Sequence, residues 1–204
     1  MSAGASRTEI DLKDATKMSE RDIKRLNDRL LRAVLSESRD EVESLLNQGA
    51  EVDACDECGW TALIEACRNG SKSLVELLLS RGADINRTDK LGHTALVDAA
   101  WRGYDEIIDI LLTEKANVKH KDMFGRTAFD FAMMNGHMST AGRLVLASKR
   151  VEDLTVETSS LVFHWACKNK KVDIARDIVE CHGTKWKGDV GICQLVVIVS
   201  LSRV

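Results

Sequence analysis

DECGWTALIEACRNGSKSLVELLLSRGADINRT, running from Asp56 to Thr88, decides the fold because the next stretch, Asp89 to Lys121, repeats its residue types almost position for position. Gly59, Gly92 and Gly125 lie 33 residues apart, as do Thr61, Thr94 and Thr127, then Ala66, Ala99 and Ala132, then Gly70, Gly103 and Gly136. Self-similarity at a fixed period of this size marks a stack of repeated units, each burying an apolar flank that it cannot bury alone.

The interior of the unit fixes its local structure. Cys55 to Gly59 reads as a turn, Thr61 can cap a first helix, and Gly70 ends that helix before a second one over Ser71 to Ser80. Leu63, Ala66, Leu74, Val75, Leu78 and Leu79 supply the stacking core, and Leu96, Ala99, Ile107, Ile108, Leu111 and Leu112 reproduce it one unit later. A period of 33 with a D-x-x-G turn, a T-x-L helix start and a GAD-x-N ending resembles the ankyrin repeat. The resemblance implies an all-α solenoid of about five helix-turn-helix repeats with short β-turn fingers. It places the repeats near residues 19–55, 56–88, 89–121, 122–154 and 155–183, between a flexible tail over 1–18 and an unassigned apolar tail over 184–204.

Outward from the two clearest units the pattern loosens. Ile23, Leu26, Leu30, Ala33 and Val34 mark an amphipathic helix, and Leu30, Ala33, Val42, Leu45 and Gly49 align with the second unit, so Asn27 to Ala54 is a first repeat without its turn. In the fourth unit Thr140 and Ala141 stand where Leu74 and Val75 stood, and Gly142 falls inside the expected second helix. Glycine there predicts a weak point where local opening is easiest. Phe163, Ala166, Ile174, Ala175, Ile178 and Val179 fill the core positions of a divergent fifth unit. The final apolar run, Ile192 to Leu201, reads equally as a cover for the open end, as a strand that sticks to other chains, or as the end of an altered transcript.

The family pattern places proline at the first helical position and a histidine two residues on, yet the chain has no proline and reads Thr61-Ala62-Leu63-Ile64, Thr94-Ala95-Leu96-Val97 and Thr127-Ala128-Phe129-Asp130. The threonines are thus expected to lack a usual partner, leaving packing to hold the stack.

Composition excludes several function classes. With 44% hydrophobic residues, 30% charged residues and a net charge of −3, no global field favours nucleic acid or an anionic membrane. No apolar run approaches a membrane span, and the first twenty residues lack the apolar core of a secretory signal, which predicts a cytosolic or nuclear protein. The six cysteines read as free thiols, with Cys67 and Cys167 in core packing. Cys55-x-x-Cys58 has no second ligand pair, so it reads as two surface thiols without a metal. His93, His120, His137, His164 and His182 are scattered over the units, and there is no Gly-rich phosphate loop. Neither catalysis nor a cofactor is expected.

Recognition of another protein is the expected function. The resemblance implies a concave binding surface made of turn tips and first-helix faces. Its variable contact positions fall on Glu57, Cys58, Trp60, Arg68 and Asn69; on Lys90, Leu91, His93, Trp101 and Arg102; and on Met123, Phe124, Arg126, Met134 and Asn135. Trp60, Trp101 and Phe124 are expected to be exposed there as anchors for the partner; the competing reading packs each on its neighbour across the fingers. The chain therefore reads as an adaptor or scaffold, or alternatively as the recognition module of a longer enzyme or channel. Asp84-Ile85-Asn86, six residues after Leu78, also resembles the pattern that asparaginyl hydroxylases modify in ankyrin loops, although the turn itself calls for the same residues.

Overall fold

The computed structural model describes residues 18–148, 156–168 and 172–182, and the tails together with the polar bridge near 149–155 lie outside it. Described residues form ten helices in succession: α1 (Glu20–Leu35), α2 (Arg39–Asn47), α3 (Ala62–Asn69), α4 (Lys72–Ser80), α5 (Ala95–Arg102), α6 (Asp105–Thr113), α7 (Ala128–Met134), α8 (Met138–Ser148), α9 (Val156–Lys168) and α10 (Val172–His182). First helices α1, α3, α5 and α7 pack side by side, and second helices α2, α4, α6 and α8 form the layer behind them. The expected all-α stack of helix pairs is what the chain adopts. Its only β pairing among the described residues is one bridge at the base of each of two fingers, Cys55 with Thr61 and Thr88 with Thr94.

Each first helix starts and stops where the sequence says it should. Thr61, Thr94 and Thr127 are the N-caps, and Gly70 and Gly103 close α3 and α5 in the left-handed region at φ 81° and 74°. Those glycines answer a second demand as well. A Cβ on Gly70 would lie 2.8 Å from the ring of Tyr104, and one on Gly103 would lie 2.5 Å from the ring of His137. Tyr104, which follows Gly103, and His137, which follows Gly136, thus each seat on the equivalent glycine of the repeat before.

A continuous core runs from Leu30 to Leu144, with Ala66, Ala99 and Ala132 fully buried where the first helices approach most closely. Polar ties at a spacing of 34 residues join the second helices across repeats: Lys72 to Glu106 at 2.9 Å, Arg81 to Asn47 at 2.9 Å, and Arg143 to Asp109. Where the first repeat has no finger, Asn27 exchanges two 2.9 Å hydrogen bonds with Glu51 instead.

Two expectations about the fourth repeat need correcting. Asp130 restores the polar brace: Thr127 N–H and Oγ1–H donate to its Oδ2 at 2.7 and 2.8 Å, and its own N–H returns to Thr127 Oγ1, a complete capping box. Thr61 likewise keeps a cap, accepting from Ile64 N–H at 3.3 Å. Gly142, read as decay, is a point of close approach, since a Cβ there would lie 2.0 Å from the Trp165 ring of α9. Thr140 is buried in place of leucine and donates to Asp105 Oδ1 at 2.7 Å.

Beyond α8 the packing changes. A second cluster gathers Val145, Val162, Phe163, Ala166, Ala175 and Ile178, with Phe129 and Met133 reaching it from α7. Backbone contacts of α9 run to α8 and α10.

Candidate functional site

The three fingers are built on three aspartates. Asp56 Oδ1 accepts from the backbone N–H of Cys58 and Trp60 at 2.8 and 2.9 Å, Asp89 Oδ1 from Leu91 and His93 at 2.9 and 2.7 Å, and Asp122 Oδ1 from Phe124 and Arg126 at 2.9 and 2.8 Å. Each carboxylate folds its own loop, with a left-handed glycine (Gly59, Gly92, Gly125) three residues on. Adjacent fingers are then tied through the backbone, Lys90 N–H to Cys58 C=O at 3.0 Å and Met123 N–H to Leu91 C=O at 3.1 Å. At the opposite turns Asn86 Oδ1 accepts from Asn117 N–H at 2.9 Å, and Asn86 N–H donates to Asp84 Oδ1 at 3.0 Å, so the Asp84 to Asn86 turn takes part in linking the repeats.

Beneath the fingers lies a buried polar cluster. Asp122 Oδ2 receives both Nε and a terminal nitrogen of Arg126, at 2.9 and 2.8 Å. Burial pushes its pKa up, but the hydrogen bonds from Arg126 and Phe124 and the guanidinium charge outweigh this and hold the carboxyl below its ordinary value. His93 sits between Asp89, 3.4 Å from Nδ1, and Asp122, 3.6 Å from Nε2, with its ring edge-on to Phe131 at 5.3 Å. Its buried Nε2 makes no hydrogen bond. Trp60 Nε1–H donates to Asp89 Oδ2 at 3.2 Å, and the Arg68 guanidinium covers the Trp60 ring at 4.2 Å.

These contacts sort the expected contact residues. Glu57, Cys58, Lys90, Leu91, Trp101, Arg102, Met123, Phe124, Met134 and Asn135 are exposed; Arg68, Asn69 and Arg126 are half-buried. Two expectations of exposure fail. Trp60 is half-buried because its indole is drawn down to Asp89 and roofed by Arg68, and His93 is buried because two aspartates of adjacent fingers close around it. Trp101 and Phe124 stay open at 47% and 66%, with Leu91 at 45%, Met123 at 61% and Met134 at 68% beside them in the third and fourth repeats. Arg126 joins the patch, lying 4.7 Å from the Phe124 ring and 4.5 Å from Phe131, which meets Trp101 at 6.2 Å.

The sequence did not single out Glu65, Asp98 and Phe131, which occupy equivalent places on α3, α5 and α7 and are all buried. Burial, eased by His93 and Arg68 and reinforced by Asp89 and Glu65, pushes the Asp98 carboxyl up to about 6. Cys67 is buried, and burial, with Asp98 nearby, pushes its thiol up; Cys167 is half-buried, while Cys55 and Cys58 are exposed free thiols. No group of three or more histidine, cysteine or acidic side chains is placed to hold a metal ion among the described residues, and no described helix is long and apolar enough to cross a membrane.

In comparisons with known proteins, residues 30–122 match the family of ankyrin repeats, in three copies. No curated protein matches the chain. The match covers the first two aspartate-built fingers and the first helices capped by Thr61 and Thr94, and stops at Asp122, where the third finger begins. The helix pairs of residues 30–122 are thus similar to ankyrin repeats in sequence and in their stacked arrangement.

Proposed function

We propose that the protein is a non-catalytic adaptor or scaffold that holds another protein against the fingers and first helices of its third and fourth repeats. Ankyrin repeats serve generally as protein-protein interaction modules. The observation that carries the reading here is the concentration of exposed large apolar side chains, Leu91, Trp101, Met123, Phe124 and Met134, on one part of that array. Contiguous exposed apolar surface costs solubility unless something covers it, and tryptophan and arginine are the side chains that anchor interfaces most strongly. Arg126, spread over two rings, lends the patch a cation held in place. A cytosolic or nuclear address goes with this reading.

Quantitative affinity capture with the intact chain and with a Trp101→Ala, Phe124→Ala double variant tests it. The proteins recovered by the parent are expected to be lost from the variant while the far-UV circular dichroism is unchanged. Equal recovery by both would reject the site.

A further inference from the structure

Glu65 on α3 and Asp98 on α5 stand 33 residues apart in equivalent places, and each keeps less than a tenth of its surface, 9% and 7%. Among the described residues neither carboxylate receives a hydrogen bond or lies within ion-pair distance of a cation, yet their oxygens are not sealed from solvent. A carboxylate pressed into protein with nothing to pair it is unfavourable unless a partner arrives from outside.

The neighbours say what kind of partner fits. Three residues along α3, on the same side as Glu65, Arg68 has turned onto the Trp60 ring. At the matching place on α5 there is no cation; Trp101 stands there with nearly half its surface open. Asp98 therefore has an aromatic side chain three residues along its helix, on the same side, where the preceding repeat has a guanidinium. Carboxylates beside an open indole receive a basic side chain well, because the acids pair its charged head while the ring face covers its stem or the cation itself.

We propose that Glu65 and Asp98, walled by Trp101, form a subsite for one arginine or lysine side chain of the bound protein. The assignment rests on the binding face proposed above and names the chemistry that face selects. Charged and titratable groups facing Asp98 are His93 and Asp89 from the finger, and Glu65, Arg68 and the Cys67 thiol from α3. With its carboxyl raised to about 6, Asp98 is ionised above that pH and short of compensation, the state an incoming cation relieves. Below it the carboxyl is neutral and the subsite loses the Asp98 charge. Recognition of the basic residue therefore strengthens as pH rises through about 6.

A phage-displayed random peptide library selected on the intact immobilised chain at about pH 7.5 is the test, followed by affinity measurement on the synthesised winner. The winner is expected to carry arginine or lysine at one fixed place beside an apolar residue. Replacing that residue by uncharged citrulline or norleucine should weaken binding about tenfold on the parent and far less on Asp98→Asn, with Glu65→Gln in between. Lowering the pH to about 5 should weaken the parent by a similar factor and leave Asp98→Asn nearly flat. Winners without a basic residue, or an equal citrulline penalty on Asp98→Asn, would overturn the subsite alone. Winners that bind the Trp101→Ala, Phe124→Ala variant unchanged, or no enrichment at all, would overturn the binding face and the subsite with it.

Discussion

The second repeat and the two after it carry similar residues on the finger side of the array and put them to different use. In the second, Trp60 and Arg68 are turned on each other, and the indole N–H is held by Asp89 of the next finger. In the third and fourth, Trp101, Met123, Phe124 and Met134 keep large open surfaces, and Arg126, the cation gathered among the rings, is itself fixed by Asp122. An aromatic with an internal partner stabilises the stack. One left largely in water, as Trp101 and Phe124 are, is available to another protein. The difference follows the 33-residue register: Trp60, His93 and Arg126 share one position and are all held by finger aspartates, whereas Trp101 and Met134 share the position of Arg68 near the end of the first helix and stay open.

The largest effect should come from removing the group that fixes the open side. Asp122→Ala strips the partner from two backbone N–H groups and the Arg126 guanidinium, and takes away the carboxylate 3.6 Å from His93 Nε2, all in a buried setting. A loss of about 3–4 kcal/mol is expected in urea unfolding. Asp56→Ala, at an exposed finger that organises only its own two amides, should cost about 1 kcal/mol. Equal losses would mean that the two regions are not built differently.

Asp98→Asn comes next and carries the opposite sign. The folded carboxyl titrates near 6 against an ordinary 3.8, so its contribution to stability is fullest below the unfolded value and is lost as pH rises through about 6. Near neutral pH the asparagine variant should therefore be more stable than the parent by about 1–3 kcal/mol, and the gain should shrink as pH is lowered through about 6. Thermal melts of both proteins across that range read it directly. A destabilised variant near neutral pH would show that Asp98 has a partner within the chain.

Much of this architecture was legible because a stack repeats its instructions. Threonine, alanine and glycine recurring at 33 residues mark the caps, the close approaches and the left-handed C-caps in the sequence itself. What stayed hidden depends on a neighbour at a distance no period reveals. Gly142 looks like damage to a helix until Trp165 is seen against it. Asp130 looks like a lost histidine until its carboxylate is seen to close the capping box. Glu65 and Asp98 read as ordinary charged helix residues, because their burial comes from repeats packing on either side. The fate of Trp60 turned on Asp89, which belongs to the following finger. Trp101 and Met134 were readable because they fall near the ends of their helices, beyond the reach of the fingers that cover Trp60.

The two tryptophans give the closest contrast and the smallest stability change. Trp60→Ala removes a half-buried ring, its hydrogen bond to Asp89 and the surface under Arg68, and should cost about 2 kcal/mol. Trp101→Ala gives up an offset contact with Phe131 at 6.2 Å from a side chain already half in water, so its cost should stay near 0.5 kcal/mol. Binding should rank them the other way, with Trp101→Ala weakening partner capture at least about tenfold and Trp60→Ala acting mainly through stability. Measuring unfolding and capture on both single variants separates the two roles, because a packing residue moves both readouts together while an interface residue moves only the second. If Trp101→Ala lowers stability as much as Trp60→Ala, the third repeat hides its tryptophan as the second does, and the contrast between the two regions disappears.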